Sequence, residues 1–319
     1  MDKVILAKNV ILEGGLGTSR PNDNQIIFGG TGTGKSLSVF LPTLCHTKNS
    51  SFIGTFAKKS IVTNAVSFFE RQGYKTHVWN LANPGKDDIV PDPLSYVSTD
   101  DDIQELAKQI ANGNPEYQRS TKFDPYWRDA SESLMTGLIH YVMMTELYPT
   151  MKKVIDLFYK LKIEEDGKGI STSLDSQFAI LNRKSPDSVA ARKLRSYSQL
   201  PFTTASCVRD DLEKAIQNMF PVSIQSAMSE DAYVSFEDFA TDRTAIFIIT
   251  SPVRTAQYAF ANLMFSLAIR RLTEFAETQE NNRLPRNVKL FFDDFSCGFP
   301  IMNYEKSIST FRAAGISSM

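Results

Sequence analysis

The sequence predicts an α/β fold on a parallel sheet, interrupted by an all-helical insertion, and three observations lead there. Strand-like runs at 24–28, Ser51–Phe56 and Lys75–Asn80 alternate with helical patterns at 35–47 and 60–72, which is the β-α-β-α-β order of a parallel sheet. From Asp100 the pattern is helical for more than a hundred residues, with segments at 100–111, 124–147, 150–161, 173–182, 188–200 and 204–220. Strand signals resume at 244–250 and Val288–Phe292, on either side of a long helical stretch at 256–277. The breaker-rich segment 84–99, holding Pro84, Gly85, Pro91 and Pro93, marks the change of character. The expected organisation is therefore a sheet-bearing domain from 1–98 and 236–319, with a helical subdomain from 99–235 inserted between its halves.

Each end of the sheet domain carries a motif. Residues 29–36 read Gly29, Gly30, Thr31, Gly32, Thr33, Gly34, Lys35 and Ser36, which fits the phosphate-binding P-loop pattern and follows the apolar run Ile26, Ile27, Phe28. Glycines let the backbone wrap closely around a triphosphate, so that successive N–H groups and the next helix N-terminus face its oxygens. Lys35 is placed to reach the β and γ phosphates and Ser36 to put its hydroxyl on Mg²⁺, which makes ATP and Mg²⁺ the expected cofactors. The second motif is 289–294, an apolar strand ending in Asp293 and Asp294. Asp293 is the candidate metal-binding carboxylate and Asp294 the candidate base that polarises the attacking water.

Composition narrows the function classes. The 319 residues carry a formal net charge of -1 and are 42% hydrophobic, an ordinary globular balance with no global basic surface for nucleic acid. Three cysteines and three histidines, without a Cys-x-x-Cys pair, argue against a disulfide framework or zinc site. The longest apolar stretches, 134–148 and 258–267, are too short and too polar to span a bilayer, so no transmembrane segment is expected. At the end of the chain, 303–314 is helical, Gly315 can cap it, and 316–319 has the character of a strand that opens but does not form, leaving the C-terminal part of the sheet missing.

With these motifs in order, the chain resembles the coupling-protein ATPases of conjugative type IV secretion systems, the TraG-like DNA-transfer family. The resemblance runs through the segment 24–36, the Pro93-Leu-Ser-Tyr96 stretch, Asp124-Pro-Tyr-Trp127 before a long helix, the strand around Phe247, and Asp293-Asp294-Phe295 with Gly298 beyond. It implies a RecA-like P-loop NTPase sheet with an all-α subdomain inserted between the two nucleotide motifs. It also implies a hexameric ring at the cytoplasmic face of a bacterial membrane, which hydrolyses ATP and pumps single-stranded DNA with its bound relaxase to a type IV secretion channel. Arg312 matches a position where the family carries an arginine that reaches a neighbour's nucleotide, although a helix C-terminal arginine also complements the helix dipole.

The chain departs from the family pattern in having Asp294 where a glutamate is usual, and Phe56-Ala-Lys-Lys-Ser60 where Asp-Pro-Lys-Gly-Glu is usual. Asp294, the final strand expected to be missing and the lack of an expected membrane anchor motivate one alternative, a nucleotide-binding adaptor with weak or no hydrolysis; a soluble RecA-type DNA motor is a further one. In the insertion, Arg183, Lys184, Arg192, Lys193 and Arg195 with Tyr197 form a basic patch, to be read either as a phosphate contact with base stacking or as a solvated helix face. Asp100, Asp101 and Asp102 fit compensation of a helix N-terminus without a metal.

Overall fold

In a computed structural model, the described residues are 2–13, 23–30, 32–119, 124–166, 169–251, 256–293 and 301–319. The chain forms two compact units, residues 1–90 with 231–319, and residues 91–230.

The first unit is built on a five-stranded sheet: β1 (Ser51–Phe56), β2 (Lys75–Asn80), β3 (Thr244–Ile249), β4 (Val288–Phe292) and β5 (Ile316–Ser318). All neighbours pair in parallel, in the order β5-β4-β1-β3-β2. Every residue of β1 and β3 is buried, as expected of central parallel strands covered on both faces. On one face Phe40, Phe52, Phe56, Phe69, Phe247 and Phe291 form an aromatic core. Phe52 stands edge-on to Phe69, Phe247 and Phe291, with ring centroids 4.8, 5.2 and 5.7 Å away. These are the offset and T-shaped geometries that aromatic quadrupoles favour. Helices Lys59–Glu70, Ala256–Glu277 and Tyr304–Ala314 lie where the sequence pattern places them. The last of these ends on Gly315 in the left-handed region, at φ 86°.

Two expectations about the sheet are corrected. Residues 316–318, read as an opening that does not form a strand, are β5, paired in register with Val288, Lys289 and Leu290. Conversely, 24–28 is not a strand, and Ile26 and Phe28 are 76% and 89% exposed. Its neighbour β5 is only three residues long. The tie between them is the Gln25 amide donating to Ser318 O at 2.8 Å, with the Ser318 amide donating to the Asn24 side chain at 2.9 Å. One backbone bond does not establish a ladder.

The sequence pattern also missed an N-terminal antiparallel hairpin, Lys3–Ala7 with Val10–Glu13. It is anchored through Asp2, whose buried carboxylate accepts hydrogen bonds from the Lys48 and Asn49 amides, both 2.7 Å, and from the Ser50 hydroxyl. The same carboxylate lies 3.6 Å from the Lys289 ammonium, the one charged side chain in β4. Burial pushes the Asp2 carboxyl up, but Lys289, Ser50 and the two amides together hold it below its ordinary value of 3.8.

The helical unit begins at Pro91 and ends at Glu230, where the sequence pattern suggested 99–235. Asp92 explains the early start. Its buried carboxylate accepts from the Leu94 amide at 2.8 Å and the Met151 amide at 2.9 Å, so one side chain caps the 3₁₀ turn Pro93–Tyr96 and the helix Met151–Lys160. Burial outweighs these two amide bonds and pushes the Asp92 carboxyl up to about 6. Thr99 and Asp102 form a capping box on the helix Asp100–Ala111, which accounts for that acidic run. At the centre of the unit Asp211 accepts from Asn114 at 2.7 Å, Ser131 at 2.9 Å and the Tyr117 hydroxyl, joining three stretches of chain through one carboxylate.

Removing one partner of a buried ion pair leaves the other charge uncompensated, at a cost of about 3–5 kcal/mol. Asp2→Asn is therefore expected to lower unfolding free energy in urea by about that amount, and Asp2→Asn with Lys289→Met to restore most of it. Because the folded carboxyl is held below 3.8, the Asp2 contribution is complete above that pH and is lost as pH falls through the folded value. The Asp2→Asn protein should show a correspondingly shallower loss of stability in acid.

Candidate nucleotide-binding site

In an open parallel sheet the loops after the strand C-termini gather at one edge, and ligands bind there. Asp293 directly follows β4 at this edge. The segment 23–30 runs past Ser318 of β5 and delivers the glycine loop to the same edge.

Local chemistry shapes the loop. Gly32 and Gly34 have φ of 79° and 85°, values that a side chain makes costly. A Cβ on Gly29 would lie 2.7 Å from Thr33 Oγ1, so the loop closes on itself only because that carbon is absent. Thr33 Oγ1 donates to Gly30 O at 2.8 Å, and Lys35 Nζ donates to Gly29 O at 2.6 Å and Gly30 O at 2.9 Å. The ammonium is thereby folded over the concave side of the loop.

The expected helix at 35–47 starts as a π-helical turn, Ser36–Phe40, with the Leu41 amide donating to Ser36 O, and continues as the α-helix Leu41–Cys45. Pro42 explains the irregularity. It has no N–H to give to Ser38 O, and its ring crowds that carbonyl four residues back. Widened turns of this kind are frequent at functional sites.

The contact that joins the two motifs is Ser36 Oγ donating to Asp293 Oδ1 at 3.2 Å, across 257 positions of sequence. A hydroxyl and a carboxylate side by side form the all-oxygen donor set that a hard divalent cation such as Mg²⁺ takes. The left-handed glycines, the Gly29 close approach and this oxygen pair fit a nucleoside phosphate with its metal ion. Thr31 and Asp294 lie outside the described residues.

Arg312 does not join this cluster within the chain. It sits exposed in the last turn of Tyr304–Ala314, four residues before β5. Ile316 of β5 is level with Val288, the first residue of β4. Asp293 is five residues further along, about 16 Å at strand rise, so Arg312 marks the opposite edge of the sheet. The basic patch of the helical unit is also resolved. Tyr197 is buried and donates to Ala205 O at 3.0 Å, which removes it as a stacking platform, and Arg195 is held by Asn182 Oδ1 at 3.1 Å.

The residue that sequence reasoning missed is Asn24. Its side-chain oxygen accepts from the Ser318 amide and hydroxyl and so positions the chain that leads into the loop. The available signal was a polar residue opening an otherwise apolar run.

The second unit is mainly helical rather than all-helical as the sequence pattern suggested, since Ile163–Asp166 pairs antiparallel with Gly169–Thr172; with the parallel sheet, the glycine loop and the Ser36–Asp293 contact it defines a RecA-like P-loop protein with a mainly helical insertion. Residues 5–319 match the family model described as type IV secretory system conjugative DNA transfer, and the chain belongs to that family. Among solved structures it is similar to the bacterial conjugative coupling protein TrwB lacking its first 70 residues, in a form with sulphate, at 12% identity and TM-score 0.50. It is likewise similar to the plasmid coupling protein TrwB in complex with ADP and Mg²⁺, at 11% identity and TM-score 0.51. In both cases 84% of this chain is covered, but only 61% and 62% of the TrwB chains, so this chain spans about three-fifths of their length. Nothing matches among the curated proteins. No helix among the described residues is long and apolar enough to cross a membrane.

Placing a Cβ on Gly29 should displace Thr33 and open the loop. Gly29→Ala is expected to weaken binding of a fluorescent ADP analogue by about tenfold or more, equivalent to about 1.4 kcal/mol, while the thermal midpoint stays near that of the parent.

Proposed function

We propose that the protein is an ATP-hydrolysing coupling protein that moves single-stranded DNA with its bound relaxase toward a type IV secretion channel during conjugation. The observation that carries this reading is the Ser36–Asp293 contact, because the phosphate-loop hydroxyl and the strand-end carboxylate lie side by side as an oxygen pair that would hold Mg²⁺. Family membership and the nucleotide-bound relative support it.

In this reading the amides of 29–36 cradle the phosphates, and Lys35 leaves the Gly29 and Gly30 carbonyls to bond the β and γ oxygens. Ser36 and Asp293 hold Mg²⁺, and Asp294 takes the role of base. Bound MgATP supplies the phosphoryl group and neutralises charge that develops on it. Arg312, at the far edge of its own sheet, acts only in trans, on the nucleotide of an adjacent copy in a ring. On this reading turnover requires a second copy of the chain.

Lys35→Ala is expected to abolish ATP turnover in the purified oligomer, measured as phosphate release. Full turnover with that substitution would contradict the assignment. ATP binding without DNA-stimulated phosphate release in the parent protein would instead favour a nucleotide-binding adaptor.

A further inference from the structure

The edge of the sheet opposite the nucleotide site carries a second feature of one chemical kind. Four of the five strands are preceded by a cation within four residues: Arg286 before β4, Lys48 before β1, Arg243 before β3 and Arg71 before β2; Arg312, before β5, belongs to the nucleotide reading above and is not part of the row. In spatial order these form a row along the edge, and the hydrogen bonds show that it is continuous. Arg283, five residues before β4, donates to Asn287 Oδ1 at 2.9 Å. Arg286 donates to Asn49 O, next to Lys48, and Arg243 donates to Gln72 O at 3.4 Å, next to Arg71. Three interstrand spacings give the row a length of about 14 Å.

The acids nearby are already engaged. Asp242 holds Lys75 at 2.6 Å, and Asp2 is buried against Lys289. Lys48, Arg71 and Arg243 have no ion-pair partner among the described residues. At the middle of the row an open groove of about 710 Å³ is lined by Lys48, Arg243, Asn49, Gln72 and the half-buried Phe68, with Cys45 and His46 completing it.

We propose that this edge is a binding track for a single-stranded nucleic acid, with phosphates along the row and an unstacked base in the groove. A line of cations set one per strand suits a polyphosphate backbone. The groove joins amide groups to an aromatic wall, the pairing that receives an unstacked base. The inference adds to the coupling-protein reading the surface that contacts DNA, and it does not depend on hydrolysis. It also sets the contact apart from the nucleotide by the depth of the sheet, so the two sites are occupied independently.

The test is fluorescence anisotropy of a labelled oligothymidylate with the full chain, without nucleotide, at several salt concentrations. Lys48→Glu with Arg243→Glu is expected to weaken binding by about tenfold or more, and to flatten the log–log salt dependence by about 1.4 for two lost phosphate contacts. ADP affinity on the same samples is expected to be unchanged, which separates this inference from the nucleotide site. Lys48→Gln, on an exposed side chain, gives the same direction with a smaller effect should the double variant fold poorly. Unchanged oligonucleotide affinity in both variants would overturn the proposal. So would loss of binding on Arg192→Glu with Lys193→Glu in the helical unit while the edge variants bind normally, or displacement of the oligonucleotide by polyglutamate of equal charge.

Discussion

The strand Val288–Phe292 is held by parallel pairing on both sides, through five register pairs with Ser51–Phe56 and three with Ile316–Ser318. This seating fixes the height at which Asp293 leaves the sheet. A slip of one residue would move the carboxylate by about 3.3 Å and turn every side chain of the strand to the other face. Phe291 would then leave the aromatic core, and Lys289 would leave Asp2. The hydrophobic pattern and the buried charge thus enforce one register, and that register places Asp293 Oδ1 within reach of Ser36.

The two ends of the same strand have different work. At its C-terminal end the glycine loop, Ser36 and Asp293 come together, the arrangement proposed above to hold phosphate and metal. At its N-terminal end stand Arg283, Arg286 and, level with them, Arg312. An arginine there cannot serve the cradle of its own chain, so any contribution to phosphoryl transfer requires a second copy. The N-terminal hairpin belongs to the same arrangement, since Asp2 neutralises the one charge that β4 buries.

Much of this was legible in the sequence. The buried runs of β1 and β3, and of β4 up to Phe291, contain β-branched and aromatic residues, and the helix before β5 ends on a glycine that the left-handed cap requires. The glycine loop announces itself because phosphate binding imposes residue types at fixed spacing. What was not legible depended on partners distant in the chain. Residues 24–28 have strand character, but a strand needs a neighbour, and the three residues of β5 offer it one backbone bond. Residues 316–318 looked unfinished, yet β4 supplies their partner. The hairpin at 3–13 escaped notice because its stability rests on Asp2 meeting Lys48, Asn49, Ser50 and Lys289. Tyr197 looked available for stacking because its sequence neighbours are basic, while packing turns its ring inward.

The central claim is that Ser36 and Asp293, 257 residues apart, act on one metal ion. A double-variant cycle on Mg²⁺-dependent ADP binding addresses it directly, by titration calorimetry on the parent, Ser36→Ala, Asp293→Asn and the combined variant. If both side chains hold the same ion, each substitution removes the Mg²⁺ enhancement of ADP affinity, and the combined variant loses scarcely more than the worse single one. Additive losses, or an Mg²⁺ enhancement that survives Asp293→Asn, would contradict the account.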